Sequence, residues 1–132
     1  MPSATILLVD DEPSDRELMR TALHLKGYTV IEAENYDEAL SVFVQARDRI
    51  ELLISDVSLP GNNGCELAKA LLRVNPELKV MFVSGHVGAE VCRLYGVDLS
   101  DAHFLRKPFQ VADFFARVQE VLHSTESVRL VE

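Results

Sequence analysis

Short apolar runs of strand length alternate with segments of helical periodicity along the chain, and this alternation restricts the fold more than any other feature. Strands are expected at 5–9, 28–33, 51–55, 79–83 and 103–105. Runs of this length, separated by helical segments, predict βα units and a parallel sheet. The first, third and fourth runs show little polar–apolar alternation, which is typical of strands covered by helices on both faces.

The segments between these runs have the apolar spacing of amphipathic helices. The first helix is expected to begin at Pro13, since proline is favoured at the first helical position, and to stop at Gly27. The others are expected at about 37–46, 64–75, 88–95 and 111–122, and the fourth has the weakest apolar pattern. The residues expected to face the core are Leu18, Ala22 and Leu25 in the first helix, Ala39, Leu40, Phe43 and Val44 in the second, Leu67, Leu71 and Leu72 in the third, and Phe114, Val118, Val121 and Leu122 in the last.

Length and composition favour one soluble globular domain. The 132 residues leave no room for a second domain, so we expect a domain over 1–123 and a short tail over 124–132. Hydrophobic residues make up 48% of the chain, but no apolar stretch approaches the ~18 residues of a membrane span. The net charge of -8 would repel a phosphate backbone and argues against nucleic-acid binding by this domain.

The two cysteines are expected to be reduced. Cys65 and Cys92 are far apart in the sequence, lack CxxC spacing and come without a signal peptide. Free cysteine is commonly buried as a small apolar residue. We therefore expect two partly buried thiols in a cytoplasmic protein.

Polar residues that could do chemistry follow four of the five expected strands. Asp10 and Asp11 follow the first, Asp56 the third, Ser84 the fourth and Lys107 the fifth. Each has a local explanation when taken alone, because acids before a helix cap it and polar residues after a strand begin turns. In an open parallel α/β sheet, however, the ligand crevice lies at the carboxyl ends of the strands. Together these residues therefore predict one site.

The acids of this predicted site favour a hard cation. If the strand order is 2-1-3-4-5, the first and third strands are neighbours and Asp10, Asp11 and Asp56 converge. Three carboxylates so close repel each other unless a cation joins them, and an all-oxygen site favours Mg²⁺. A carboxylate can also be a nucleophile toward phosphorus, with Mg²⁺, Lys107 and Ser84 available to neutralise the phosphoryl oxygens.

Four motifs in order resemble the receiver domain of two-component response regulators. They are Ile6-Leu7-Leu8-Val9-Asp10-Asp11-Glu12, Leu53-Ile54-Ser55-Asp56-Val57-Ser58-Leu59-Pro60-Gly61 leading to Gly64, Val83-Ser84-Gly85, and Leu105-Arg106-Lys107-Pro108-Phe109. The resemblance extends from about Thr5 to Leu122. It implies a doubly wound α/β fold with a five-stranded parallel sheet of flavodoxin-like order 2-1-3-4-5.

The resemblance also implies the chemistry of the site. Asp56 would accept a phosphoryl group from a phosphohistidine, and Mg²⁺ would be held by Asp10, Asp11, Asp56 and the backbone carbonyl of Ser58. Lys107 would pair with the phosphoryl oxygens and precede a cis peptide bond to proline.

Two more residues have roles implied by the family pattern. Ser84 would hydrogen-bond the phosphoryl group, and Phe104 matches the switch aromatic that moves inward when Ser84 moves; its alternative is a plain core residue. Ser58 and His86 stand at the positions that flank the hydrolytic water in this family. For His86 a solvent-facing loop residue is favoured over a metal ligand, since no second histidine lies at ligand spacing.

Other classes fit the sequence less well. A haloacid-dehalogenase phosphatase needs Asp-x-Asp after its first strand, and a flavodoxin needs a Ser/Thr/Gly-rich phosphate loop where this chain has three acids. The remaining alternative is a receiver-like interaction module that is not phosphorylated. As a receiver, the domain is expected to be a phosphoacceptor rather than an enzyme.

The expected partners follow from the same resemblance. They are a histidine kinase or a histidine phosphotransfer protein, which would dock on the first helix and the loop after Lys107, and an unidentified downstream protein near the fourth helix and fifth strand. With no output domain in the sequence, two arrangements stay open: a free-standing regulator, or the receiver part of a larger protein such as a hybrid sensor kinase. The oligomeric state stays open too.

Overall fold

The computed structural model describes residues 4–46, 49–85, 88–98, 103–124 and 129–130. Strands and helices alternate through most of this range. The strands are β1 (Thr5–Val9), β2 (Thr29–Ala33), β3 (Ile50–Asp56), β4 (Lys79–Ser84), β5 (Val97–Asp98), β6 (Phe104–Arg106) and β7 (Arg129–Leu130). The helices are α1 (Pro13–Leu25), α2 (Tyr36–Ala46), α3 (Gly64–Val74), α4 (Gly88–Leu94) and α5 (Val111–His123).

Five strands form one parallel sheet in the order β2-β1-β3-β4-β6. Strand β6 is the fifth strand expected from the sequence, so the order 2-1-3-4-5 and the α/β fold class are confirmed. The short strands β5 and β7 pair antiparallel in a separate two-stranded sheet. This pair was not expected, and it brings part of the predicted tail back to the segment after α4.

The sheet is covered on both faces because successive strand residues point to opposite sides. On one face, Leu7, Leu53 and Phe82 pack in a core cluster with α2, α3 and Cys92 of α4. On the other face, Leu8 and Ile54 pack in a second cluster with α1 and α5. The central strands β1, β3 and β4 are therefore almost completely apolar up to their carboxyl ends.

The core-facing stripe of α1 differs from the prediction. Met19, Ala22 and Leu23 are buried, whereas Leu18 and Leu25 are 45% and 79% exposed. Two overlapping apolar stripes share Ala22 in the sequence, and the stripe that packs against the sheet is the one with Met19 and Leu23. The prediction for Leu18 and Leu25 was wrong because periodicity alone does not distinguish these stripes.

The prediction for α2 was partly wrong. Ala39 and Phe43 are buried as expected, Leu40 is partly buried, and Val44 is 74% exposed. Val44 follows Phe43 by one residue and so lies about 100° further round the helix, away from the sheet. In α3 and α5 the predicted stripes are confirmed, with only Leu122 partly rather than fully buried.

The cysteines form a disulfide, which corrects the expectation of free thiols. Cys65 in the first turn of α3 and Cys92 in α4 are both fully buried, with their Cα atoms 5.2 Å apart. The 27-residue separation gave no signal for pairing, because only the packing of α3 and α4 on the same face of the sheet brings the two side chains together.

Helix α1 ends at Leu25, and Gly27 then adopts a φ of 86°, a left-handed conformation that glycine tolerates best. The prediction that the first helix stops at Gly27 is therefore confirmed.

None of the helices among the described residues is long and apolar enough to cross a membrane.

Candidate functional site

The carboxyl ends of β1 and β3 bring three acidic residues together. Val9 pairs with Ser55, so Asp10 and Asp56, which follow these partners in the chain, lie at the same level of neighbouring strands. Asp10 is fully buried, Asp56 is 9% exposed and Asp11 is exposed. One carboxylate oxygen from each lies within 4.8 Å of the others. The convergence expected from the sequence is therefore present.

Local hydrogen bonds hold the two buried acids in place. Asp10 Oδ1 accepts from the Glu12 N–H at 2.9 Å, and Asp56 Oδ1 accepts from the Ser58 N–H at 2.9 Å. Each acid thus bonds the backbone two residues further on, as Asp does in turns. Arg16 of α1 also donates from Nη1 to the Asp10 carbonyl at 2.7 Å, which ties the loop to the helix.

Lys107 places its ammonium among the acids. Its Nζ lies 2.9 Å from Asp10 Oδ2, 2.8 Å from Asp56 Oδ2 and 2.8 Å from Asp15 Oδ2. The Lys107 backbone N–H donates to the Ser84 carbonyl at 2.7 Å, so this hydrogen bond fixes the lysine backbone at the carboxyl end of β4. The peptide bond between Lys107 and Pro108 is cis, as expected.

The electrostatics of the site follow from this partial burial. Burial raises the pKa of Asp10 above its ordinary value, and the Glu12 N–H and Lys107 only partly oppose the rise. Burial alone would lower the pKa of Lys107, but its hydrogen bonds to Asp15, Asp56 and Asp10 outweigh burial and raise that pKa. The ammonium therefore stays charged near neutral pH and compensates the buried acids.

Gly64 allows α3 to begin directly against the end of β3. A Cβ at this position would lie 2.1 Å from the Asp56 carbonyl oxygen and 2.9 Å from Ser55 Oγ. The Gly64 N–H also donates to the Val57 carbonyl at 2.8 Å. Only a residue without a side chain fits here, so Gly64 helps to fix the backbone that carries Asp56.

The other predicted residues lie at or near this cluster. Ser84 is buried at the end of β4, where its backbone contacts Lys107. Ser58 is exposed and contacts Asp56 through its N–H. Phe104 is partly buried and packs against the core cluster that contains α3 and α4, which agrees with either interpretation of this ring. His86 lies outside the described residues.

The sequence analysis did not identify Asp15 and Arg16 as part of the site. Both lie in the first turns of α1, whose start at Pro13 was predicted. A helix that begins three residues after Asp10 keeps its first turn near the strand ends, so an acid there was a usable signal. The contact of Asp15 with Lys107, 92 residues away, depended on the tertiary fold.

The donor set fits a hard divalent cation. Asp10, Asp11 and Asp56 offer carboxylate oxygens, which are the ligands that Mg²⁺ prefers in proteins. Asp11 leaves one side of the group open to solvent. Exposure on one side suits Mg²⁺ in particular, since this ion usually keeps several water ligands.

Comparisons with known proteins show which family the sequence resembles. The sequence model of the response regulator receiver domain matches residues 6–119. The phosphate regulon transcriptional regulatory protein PhoB of Pseudomonas aeruginosa is 34% identical over 127 residues, which are 95% of this chain and 54% of PhoB. Sensor kinase CckA of Brucella abortus is 35% identical over 124 residues, which are 94% of this chain and 13% of CckA.

Solved structures agree with the fold. The chemotaxis protein CheY4 of Vibrio cholerae superposes with a TM-score of 0.78 and 28% identity, covering 91% of this chain and 99% of CheY4. The chain spans about half the length of PhoB and a smaller part of CckA, so the similarity to both concerns one domain. With the family model covering most of its length, the chain belongs to the response regulator receiver domain family.

Proposed function

We propose that this receiver domain accepts a phosphoryl group from a phosphohistidine on Asp56 in a Mg²⁺-dependent reaction and relays the change to a downstream protein. The observation that carries the proposal is the Asp56 carboxylate, 2.8 Å from the Lys107 ammonium and grouped with Asp10 and Asp11. The domain would thus act as a phosphoacceptor in signalling rather than as an enzyme with a released product.

Asp56, Lys107 and Ser84 would each have a separate role in the phosphoryl transfer. An Asp56 oxygen attacks phosphorus, the O–P bond forms, and the N–P bond breaks as the imidazole leaves with the bonding electrons. Lys107 is already charged and pairs with one phosphoryl oxygen, while the buried Ser84 hydroxyl hydrogen-bonds another.

Asp10, Asp11, Asp56 and the backbone carbonyl of Ser58 would hold Mg²⁺. The bound ion supplies positive charge that neutralises a phosphoryl oxygen. A backbone N–H already orients the carboxylates of Asp10 and Asp56, so neither has to reorient to bind the ion. Because Asp11 is exposed, a donor would approach Asp56 from this side.

The conformational output would run through Ser84 and Phe104. Ser84 lies at the end of β4, and Phe104 lies in the neighbouring β6, where its register partner is Phe82. Movement of Ser84 toward the phosphoryl group would let the Phe104 ring turn inward and change the surface near α4 and β6. The chain would work in the cytoplasm with a histidine kinase or a histidine phosphotransfer protein, without binding nucleic acid or membrane itself.

Phosphorylation of purified protein tests the proposal. We expect acetyl phosphate with Mg²⁺ to add one phosphoryl group, seen by intact-mass spectrometry, and chelation of Mg²⁺ to prevent it. Asp56→Asn should abolish the addition, while Asp37→Asn, an exposed acid in the first turn of α2, should leave it unchanged. Equal labelling of Asp56→Asn would refute the assignment, and no labelling of the wild type would favour an unphosphorylated interaction module.

A further inference from the structure

The three donors of the Lys107 ammonium are already engaged. A lysine ammonium has three N–H groups and no acceptor. In this site they face Asp10, Asp15 and Asp56 at 2.9, 2.8 and 2.8 Å. A phosphoryl oxygen that pairs with Lys107 must therefore take a donor from one of these three carboxylates.

Asp15 differs from the other two partners in position and exposure. Asp10 is fully buried and Asp56 is the phosphoacceptor, whereas the Asp15 side chain is 41% exposed at the mouth of the site. Water can replace the lysine at Asp15 at little cost, while a buried carboxylate without a partner is strongly unfavourable. The contact with Asp15 is therefore the one that Lys107 can exchange most easily.

We propose that Asp15 is a positioning residue that competes with the phosphoryl group for the Lys107 ammonium and thereby limits how fast Asp56 is phosphorylated and how long it stays so. This inference rests on the proposed function of Asp56. Without Asp15, one N–H of Lys107 would be free before the donor arrives.

A purely structural role for Asp15 predicts a change in stability without a change in phosphorylation kinetics. An acid in the first turn of α1 also interacts favourably with the helix dipole. If that were its only role, loss of the charge would lower stability and leave the phosphorylation kinetics unchanged. Kinetics and stability must therefore be measured on the same variants.

The test compares Asp15→Asn with a matched acid on the same helix. Glu17 is 74% exposed and lies 4.0 Å from Arg20, so Glu17→Gln removes the same charge away from Lys107. With acetyl phosphate and Mg²⁺, Asp15→Asn should speed phosphorylation about two- to fivefold and lengthen the phosphoaspartate half-life by a similar factor, the range of a half-exposed ion pair. Asp15→Glu, which keeps the charge, should behave more like the wild type.

A double variant shows whether the effect passes through Lys107. In a Lys107→Gln background, Asp15→Asn should change neither rate nor half-life, because the shared ammonium is absent. Wild-type kinetics for Asp15→Asn, equal acceleration by Glu17→Gln, or an undiminished effect in the Lys107→Gln background would each overturn the inference. Failure of the wild type to be labelled on Asp56 would instead refute the proposed function, so the two failures are distinct.

Discussion

At the scale of single residues, the site depends as much on what Gly64 lacks as on what the acids provide. The first turn of α3 lies against the carbonyl of Asp56, where a Cβ would come within 2.1 Å of the oxygen. This nearest contact is with a backbone atom, so no side-chain rotation can relieve it. Either α3 or the end of β3 would have to shift.

Gly64→Ala should therefore lower both stability and phosphorylation. We expect a loss of about 1–3 kcal/mol in the free energy of unfolding, as for other insertions into closely packed sites, measured by denaturant titration. Phosphorylation of Asp56 should slow in the same variant because its backbone moves. Gly85→Ala is the matched control, since a Cβ there meets no atom within 4 Å. Equal stability of the two variants would contradict this account.

The residues of the site could be predicted to different extents. Asp10, Asp11, Asp56 and Lys107 were found because each follows a recognisable strand, and the ends of parallel strands share one edge. The contact between Asp15 and Lys107 could not be found in the same way. It depends on the rotation of α1 about its axis, which also decided that Leu18 is exposed while Met19 is buried.

At the scale of helices and strands, the disulfide between α3 and α4 stabilises the helix with the weakest apolar pattern. Helix α4 has seven residues and a sparse apolar pattern, so packing alone stabilises it little. Cys92 joins it to Cys65, the residue after Gly64. The disulfide thus connects α4 to the helix that begins against the carbonyl of Asp56.

The disulfide predicts a redox-dependent stability. Closing a loop over a separation of 27 residues stabilises a fold by about 3.5 kcal/mol, so reduction should lower the free energy of unfolding by a similar amount. Denaturant titration with and without dithiothreitol measures the difference, and thiol titration of unfolded, unreduced protein should find no free cysteine. The variant Cys65→Ala/Cys92→Ala should be insensitive to the reductant. Two free thiols in protein purified without reductant would contradict the pairing.

At the scale of the whole molecule, the central sheet was predictable and the small second sheet was not. Each strand of the central sheet, including the three-residue β6, lies within one residue of its expected bounds, because an apolar run flanked by helical segments or turns predicts a strand. The pairing of Val97–Asp98 with Arg129–Leu130 involves two residues on each side. Such short segments carry no periodicity, so only the tertiary fold can bring them together.

Acidic charge is concentrated at the site, where repulsion between the carboxylates opposes folding. The Lys107 ammonium contacts the carboxylates of Asp10, Asp15 and Asp56, and Asp11 adds a fourth carboxylate within 4.8 Å of Asp10 and Asp56. Lys107 offsets part of their repulsion, and burial still raises the pKa of Asp10. A divalent cation that binds the folded acids should therefore stabilise the entire fold by mass action.

We expect Mg²⁺ to raise the melting temperature, with a gain in unfolding free energy of about 1.4 kcal/mol when its concentration is tenfold above its dissociation constant. Asp11→Asn removes an exposed acid of the cluster, so the metal-free variant should be slightly more stable than the wild type and should gain less from Mg²⁺. Asp37→Asn should gain as much as the wild type. Melting curves at matched ionic strength separate binding from screening, because screening acts on all three proteins alike. An unchanged melting temperature in millimolar Mg²⁺, or equal gains in Asp11→Asn and the wild type, would contradict a cation site at these acids.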